Sequence, residues 1–170
     1  MKAYIGKYPN YNKRTKKTPA RKIRIQLDSW DSWNADHTIA LIVLPILKQL
    51  KKTDKGAPHT DDEDVPEHLR STAANSKKNE SDVDKNWFKR WNWIMKEMIW
   101  AFDQHTKDWV DKFHHGRCDW KFIEQPDGSS RMEKGPKDTH WFDQAGAEAH
   151  ANRMKNGLRL FAKYFSELWD

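Results

Sequence analysis

The chain has a single cysteine, Cys118, in 170 residues. No internal disulfide can form, and such sparing use of thiols suits a reducing cytoplasm. Long hydrophobic runs are missing as well. The longest, residues 39–47, is interrupted by Pro45 and is far shorter than the roughly eighteen apolar residues that mark a membrane helix. That excludes a helical membrane span, and without an apolar leader the chain is not expected to be secreted. Hydrophobic residues amount to 36% of the sequence, below the share usual in globular domains. Ten Trp, seven Phe and four Tyr offset the deficit, because each aromatic ring buries more area than an aliphatic side chain. A single domain spanning residues 1–170 with an aromatic-heavy core is expected.

Acids are missing from one stretch. Residues 1–24 carry nine bases and no acid, leaving the remainder with 22 bases against 25 acids. The net charge of +6 is therefore concentrated at the start of the chain, which points to an anionic partner there. The alternative is a solvated, solubilising loop.

Catalytic motifs are absent too. The sequence has no phosphate-binding Gly-rich loop ending in Lys-Ser/Thr, no nucleophile elbow and no His-Glu-x-x-His pair. One cysteine rules out a zinc finger. His114 and His115 followed by Cys118 have a metal-like spacing but lack a further ligand. Asp36-His37 reverses the His-Asp order of phosphohydrolases, and Asp36 reads better as a helix N-cap. Glu97 and Asp103, six residues apart, do not stack on one helical face. The acidic run 61–64 lacks the alternating spacing of a calcium loop; it reads as an acidic box ahead of a short helix or as a partner for the basic segment. No catalytic residue, metal or cofactor is expected.

The residues present describe an α+β chain. Residues 2–6 read as a strand, and residues 21–27 alternate, with Ile23, Ile25 and Leu27 on one side and Lys22, Arg24 and Gln26 on the other. That pattern predicts a half-buried strand with a basic outer face. A turn over 28–34 carries Trp30 and Trp33. Three main helices follow, over about 36–53, 85–113 and 144–169. The first is apolar almost all round from Ile39 to Leu50, which predicts a central buried helix with a kink at Pro45. The second shows a stripe of Trp87, Trp91, Met95, Met98 and Phe102 and a break near Thr106. The third has a stripe of Met154, Leu158, Phe161, Phe165 and Leu168, weakened at Gly146 and Gly157. Residues 67–70 form a short helix, residues 71–84 are too polar to bury and read as a flexible linker, and Asp127-Gly128 marks the bend of a hairpin over 118–134.

Tyr4, Lys7, Tyr8, Tyr11, Arg24, Trp30 and Trp33 lie in or beside the basic segment. Aromatic rings stack on bases while Lys and Arg meet phosphates, so this set suits a nucleotide or a single-stranded nucleic acid. The other reading makes Trp30 and Trp33 lids on the core helix. Lys89 and Arg90, near Trp93, would extend the basic surface.

Several stretches carry a resemblance. Residues 4–6 (Tyr-Ile-Gly), 31–51, 56–66 (with the Asp-Asp-Glu-Asp-Val-Pro sequence), Arg90-Trp91, 97–100 (Glu-Met-Ile-Trp), 134–139 (Lys-Gly-Pro-Lys-Asp-Thr) and 156–169 together resemble a family of small proteins of tailed bacteriophages, marine and cyanobacterial phages among them. The likeness covers nearly the whole chain. Many relatives carry extra sequence between the first strand and Arg21, where this chain has a short basic loop, and the resemblance supplies no catalytic residues. It implies a protein acting in the cytoplasm of an infected bacterium, in a class that includes sponges sequestering a host immune signalling nucleotide. The expected function is accordingly non-enzymatic binding of an anionic nucleotide-type ligand, serving counter-defence. Tyr4, Lys7, Tyr8 and Arg24 are the first candidate contacts, and Trp30, Lys48 and Lys52 the next. The alternatives are a DNA- or RNA-binding host-takeover protein and a protein–protein inhibitor of a host factor. Homo-oligomerisation is left open, and no membrane partner is expected.

Overall fold

A computed structural model of the chain describes residues 1–10, 12–53, 56–74, 79 and 82–169. It is α+β, with three main helices and small antiparallel sheets, and it divides into two compact units, Met1–Ile39 and Ala40–Asp170. Among the described residues no helix is long and apolar enough to cross a membrane.

In the first unit, strands β1 (Lys2–Ile5) and β2 (Ile23–Gln26) pair antiparallel, Tyr4 opposite Arg24 and Ile5 opposite Ile23. The alternation predicts the strand correctly, but half-burial does not follow, because every residue of both strands is exposed. Two strands by themselves offer each other one edge and no covering layer. Residues 28–34 are more than a turn. Asp28 accepts from the Trp30 backbone N–H at 3.1 Å while the Asp31 carboxylate accepts from the Asp28 N–H at 2.8 Å, a reciprocal capping box that starts the short helix α1 (Ser29–Trp33).

Helix α2 (Ala35–Thr53) runs through Pro45. Asp36 falls in its first turn rather than at the cap, since Thr38 N–H already bonds to Asn34 C=O at 3.0 Å. The helix is also not buried all round. Ala40, Leu44 and Leu47, spaced four and three apart, reach the core, while Leu41 and Ile46 are more than half exposed. An apolar sequence therefore does not imply an apolar environment on every face.

The second unit holds the core, in which Ala40, Leu44 and Leu47 meet Val65, Trp91, Ile94, Met95, Met98, Phe102, Leu160 and Tyr164. Helix α3 (Trp87–His105) ends near Thr106, as the break in the pattern predicts, and a 3-10 turn covers Trp109–Phe113. Helix α4 (Gln144–Lys163) stops short of residue 169, and Phe165 is exposed beyond it. Gly157 is a packing requirement on α4 rather than a weak point. A Cβ there would lie 2.4 Å from the Ala101 Cβ and 2.7 Å from the Glu97 carbonyl oxygen, so its absence is what lets α4 approach α3. Arg153 then reaches Glu97 with two hydrogen bonds, at 2.9 and 2.8 Å, and lies 3.9 Å from the centre of the Trp100 ring.

Two further strands, β3 (His114–His115) and β6 (Trp141–Phe142), pair antiparallel; at two residues each they leave no periodicity in the sequence. Between them, β4 (Trp120–Glu124) and β5 (Ser130–Lys134) form the expected hairpin, with Gly128 at φ +81° in its bend. The expected linker is structured at both ends: Ser71–Ala73 is a 3-10 turn and Asp84 is buried. Residues 75–78, 80 and 81 lie outside the described ones.

Candidate functional site

In an antiparallel pair, residues directly opposite share a face. The register therefore places Lys2, Tyr4, Arg24 and Gln26 on one side of the ribbon and Ala3, Ile5, Ile23 and Ile25 on the other. Tyr4 and Arg24 are cross-strand partners. With Lys2, Ala3 and Gln26 they line a shallow cleft of about 240 Å³.

Among its described residues, the loop joining the strands contains a turn. Asn12 N–H donates to Lys17 C=O at 3.0 Å, and its side-chain oxygen accepts from the N–H groups of Arg14 and Thr15 at 2.9 and 3.2 Å. An Asn in this position imitates a backbone turn. The result is a tight turn bearing Lys13, Arg14, Lys16 and Lys17, with Lys16 in the left-handed region at φ +52°. At the base of the loop, the Arg21 Nε donates to Gly6 C=O at 2.6 Å, and its guanidinium lies 4.1 Å from the Tyr8 ring centre. Arg21 thereby fixes the orientation of a tyrosine that is 80% exposed. Lys7, next to Gly6, is exposed, and α1 presents Trp30 at 76% exposure and Trp33 at 80%.

Five of the seven candidate contacts (Tyr4, Lys7, Tyr8, Arg24 and Trp30) thus belong to the Met1–Ile39 unit. Lys48 and Lys52 belong to the other. Lys48 stands 3.9 Å from an Asp103 carboxylate oxygen, and Lys52 is exposed on the last turn of α2. Tyr11 lies outside the described residues. Neighbouring Lys51 is held below the usual lysine range by partial burial and, second, by Lys96. Sequence reasoning missed Arg21 and Asn12 as organisers of the basic segment. An Asn four residues before a Lys-Lys pair was a readable turn signal, whereas the Arg21–Tyr8 contact spans thirteen positions and had none.

By unit the charge division is less steep than by sequence window, but it leaves the whole net charge on the first unit. Residues 1–39 hold nine bases and three acids; the rest of the chain holds 22 of each. Of the three acids, Asp28 and Asp31 are engaged in the capping box and Asp36 sits in the first turn of α2, where the helix dipole favours it.

In the second unit a cleft of about 800 Å³ is lined by His59, Asp61, Asp62, Ser71, Trp87 and Arg90 among others. Acids in the cleft, and Asp64 next to it in sequence, are tied into the fold. The Asp62 carboxylate accepts from the Ser71 N–H at 2.7 Å and from the Ser71 hydroxyl, which pulls its pKa down. Tyr164 Oη donates to Asp64 at 2.7 Å and accepts from the Asp61 N–H at 3.0 Å. Arg159 and Lys163 complete the shell around Asp64. Burial pushes the Asp64 pKa upward, but hydrogen bonds from Lys163, Tyr164 and Arg159 outweigh it and the net shift is downward. Asp84 takes both forks of Arg90, at 2.9 and 2.7 Å, and Arg90 also bonds Thr60 and the Leu69 carbonyl. Arg90 is 2% exposed and so adds nothing to a basic surface. Its side chain spans the segments on either side of residues 75–81 and fixes them to α3.

The histidines do not converge on a metal. His114 and His115 alternate across their strand: His114 Nδ1 lies 2.9 Å from His140 Nε2, and His115 stacks on Trp141. Cys118 is exposed. Among the described residues no three His, Cys, Asp or Glu side chains are grouped to hold an ion. His150 sits parallel to Trp109 with ring centres 4.9 Å apart, and as close to Trp100. Burial, then Lys112 and Arg153, lower its pKa, which favours the neutral ring within this aromatic cluster. No family model, no curated protein and no solved structure matches the chain.

Proposed function

We propose that this protein binds an anionic, nucleotide-type ligand without chemical turnover, through the basic ribbon and turn of the Met1–Ile39 unit. The observation that carries the reading is the concentration of nine bases against three acids in a unit whose charged ribbon face presents Tyr4 and which exposes Tyr8, Trp30 and Trp33 as well. Cations on a fixed turn and ribbon meet phosphate at little conformational cost, and the Tyr4–Arg24 pair sets a ring beside a guanidinium.

The resemblance to tailed-phage proteins suits a counter-defence role in the infected bacterium, in which the ligand is sequestered intact. A mononucleotide sponge would need walls. Pockets that enclose small molecules usually reach ~300–1,000 Å³, and the cleft beside Tyr4 and Arg24 is about 240 Å³. The open surface therefore favours a longer ligand, in line with a DNA- or RNA-binding role. The test is a binding panel at low salt, with the ligand recovered and its mass checked afterwards. Cyclic dinucleotides, nucleoside triphosphates, oligonucleotides and heparin make up the panel. Binding with the ligand recovered intact is expected. Indifference to every anion overturns the proposal, and so does a recovered ligand that has been hydrolysed.

A further inference from the structure

We infer that the ligand of the Met1–Ile39 unit is single-stranded nucleic acid, read through stacking as well as charge; this rests on the anion-binding proposal and narrows it. Four aromatic rings of this unit stand open to solvent: Tyr4 at 62%, Tyr8 at 80%, Trp30 at 76% and Trp33 at 80%. Large rings left this exposed gain most from a partner that covers their faces. Which partner is decided by the surrounding charge. An apolar protein surface would have to desolvate the cations beside Tyr4 and Tyr8, Arg24 and Arg21, whereas a polyphosphate neutralises them.

The base faces of a duplex are hidden in its own stack, so a duplex satisfies the cations and leaves the rings uncovered. A mononucleotide has one base and a cyclic dinucleotide two, fewer than the four exposed rings of the unit. An unpaired strand supplies phosphates and open base faces together, and each stacked base contributes substantially whatever its identity. Tyr8 shows how such a contact is prepared. The Arg21 guanidinium covers one face of the ring at 4.1 Å and is itself anchored on Gly6 C=O. A base stacked on the opposite face would complete a cation–ring–base sandwich.

The experiment uses the full chain and fluorescence anisotropy of labelled dT20, rU20, a 20-base-pair duplex and heparin, with unlabelled cyclic dinucleotide as competitor. A single strand, DNA or RNA, is expected to bind at least ~10-fold more tightly than duplex or heparin, and the two single-strand arms report which sugar is preferred. Trp30→Ala and Trp33→Ala are each expected to weaken the single strand by roughly 5- to 100-fold and to leave heparin unchanged, with Trp30→Phe restoring most of the loss. Both side chains are exposed, so far-ultraviolet circular dichroism should register no change in fold. Duplex or heparin binding as tightly as dT20 overturns the inference and leaves anion binding standing. So does a loss of affinity in the Trp variants that is equal for heparin and single strand. Full displacement by a cyclic dinucleotide at equal affinity overturns it in favour of a small ligand. Failure of every anion to bind overturns the parent proposal as well.

Discussion

The two units of this chain handle charge in opposite ways. In Ala40–Asp170, charge goes inward and is matched: Arg90 and Asp84 are both buried and bidentate, and Asp64 is ringed by Arg159, Lys163 and Tyr164. In Met1–Ile39, Gly6 is the only buried residue among those described, and the cations are carried on exposed backbone. A buried ion pair confers geometry, because breaking it strands a charge. An exposed cation contributes little to stability and remains available to a ligand. The comparison thus separates residues that specify the fold from residues free to specify a partner.

That separation can be broken by experiment. The largest effect is expected from Asp84→Ala, which strands the Arg90 guanidinium; loss of one partner of a buried pair costs ~3–5 kcal/mol, measurable as a lower denaturation midpoint. Ligand affinity of the molecules that remain folded should not change, and a parallel loss of affinity would show that the two roles are not separate. Gly157→Ala comes next. Although alanine favours helix by about 1 kcal/mol over glycine, the added methyl collides with Ala101 and the Glu97 carbonyl oxygen, so a net loss of ~1–3 kcal/mol is expected. A more stable variant would contradict the close approach of α3 and α4.

Burial lowers the His150 pKa from its usual 6.5, so the unfolded chain binds this proton more readily than the folded one. Its contribution to stability is complete above about pH 6.5 and declines as the pH falls below that value. Replacing His150 by Phe should flatten the decline in a series of thermal melts. At the other end of the scale, burial first and the Asp64 carboxylate beside it raise the Tyr164 hydroxyl to about 12. That contribution holds below the ordinary tyrosine pKa of 10.0 and is lost as the pH rises through about 12, so Tyr164→Phe should be less sensitive to alkali.

The smallest effect on stability should come from Arg24→Gln, within about 0.5 kcal/mol of the parent. Its signature lies in binding: the slope of log affinity against log salt should become shallower by ~0.7 for a single strand if Arg24 meets one phosphate. An unchanged slope would remove Arg24 from the contact surface.

Much of this division was legible in the sequence, for identifiable reasons. The strands β1 and β2, the hairpin at Asp127-Gly128 and the end of α3 near Thr106 all follow from local patterns that the backbone obeys within a few residues. The cluster of bases in residues 1–24 is likewise visible as composition. What escaped depends on distance or on what is absent around a residue. Ile23 and Ile25 alternate like half-buried residues, yet periodicity only says that two faces differ and does not say that one is covered. Arg90 looked like surface charge because its partner, Asp84, lay in a stretch too polar to suggest burial. Gly157 looked like a helix defect because the atoms it accommodates belong to residues 97 and 101 on α3.

The Tyr164 contact also bears on the order of events in folding. Its hydroxyl bonds to Asp64 and to the backbone of Asp61, residues 100 and 103 positions earlier. Contacts of such separation must close a long loop before they return any free energy. On a ribosome, where the chain emerges from its first residue onward, the acidic segment is made early but has no lysine, arginine or tyrosine of α4 to hold it. The turn at residues 62–64 can gain this latch only once Tyr164 has emerged, so the latch closes after α4 has been made.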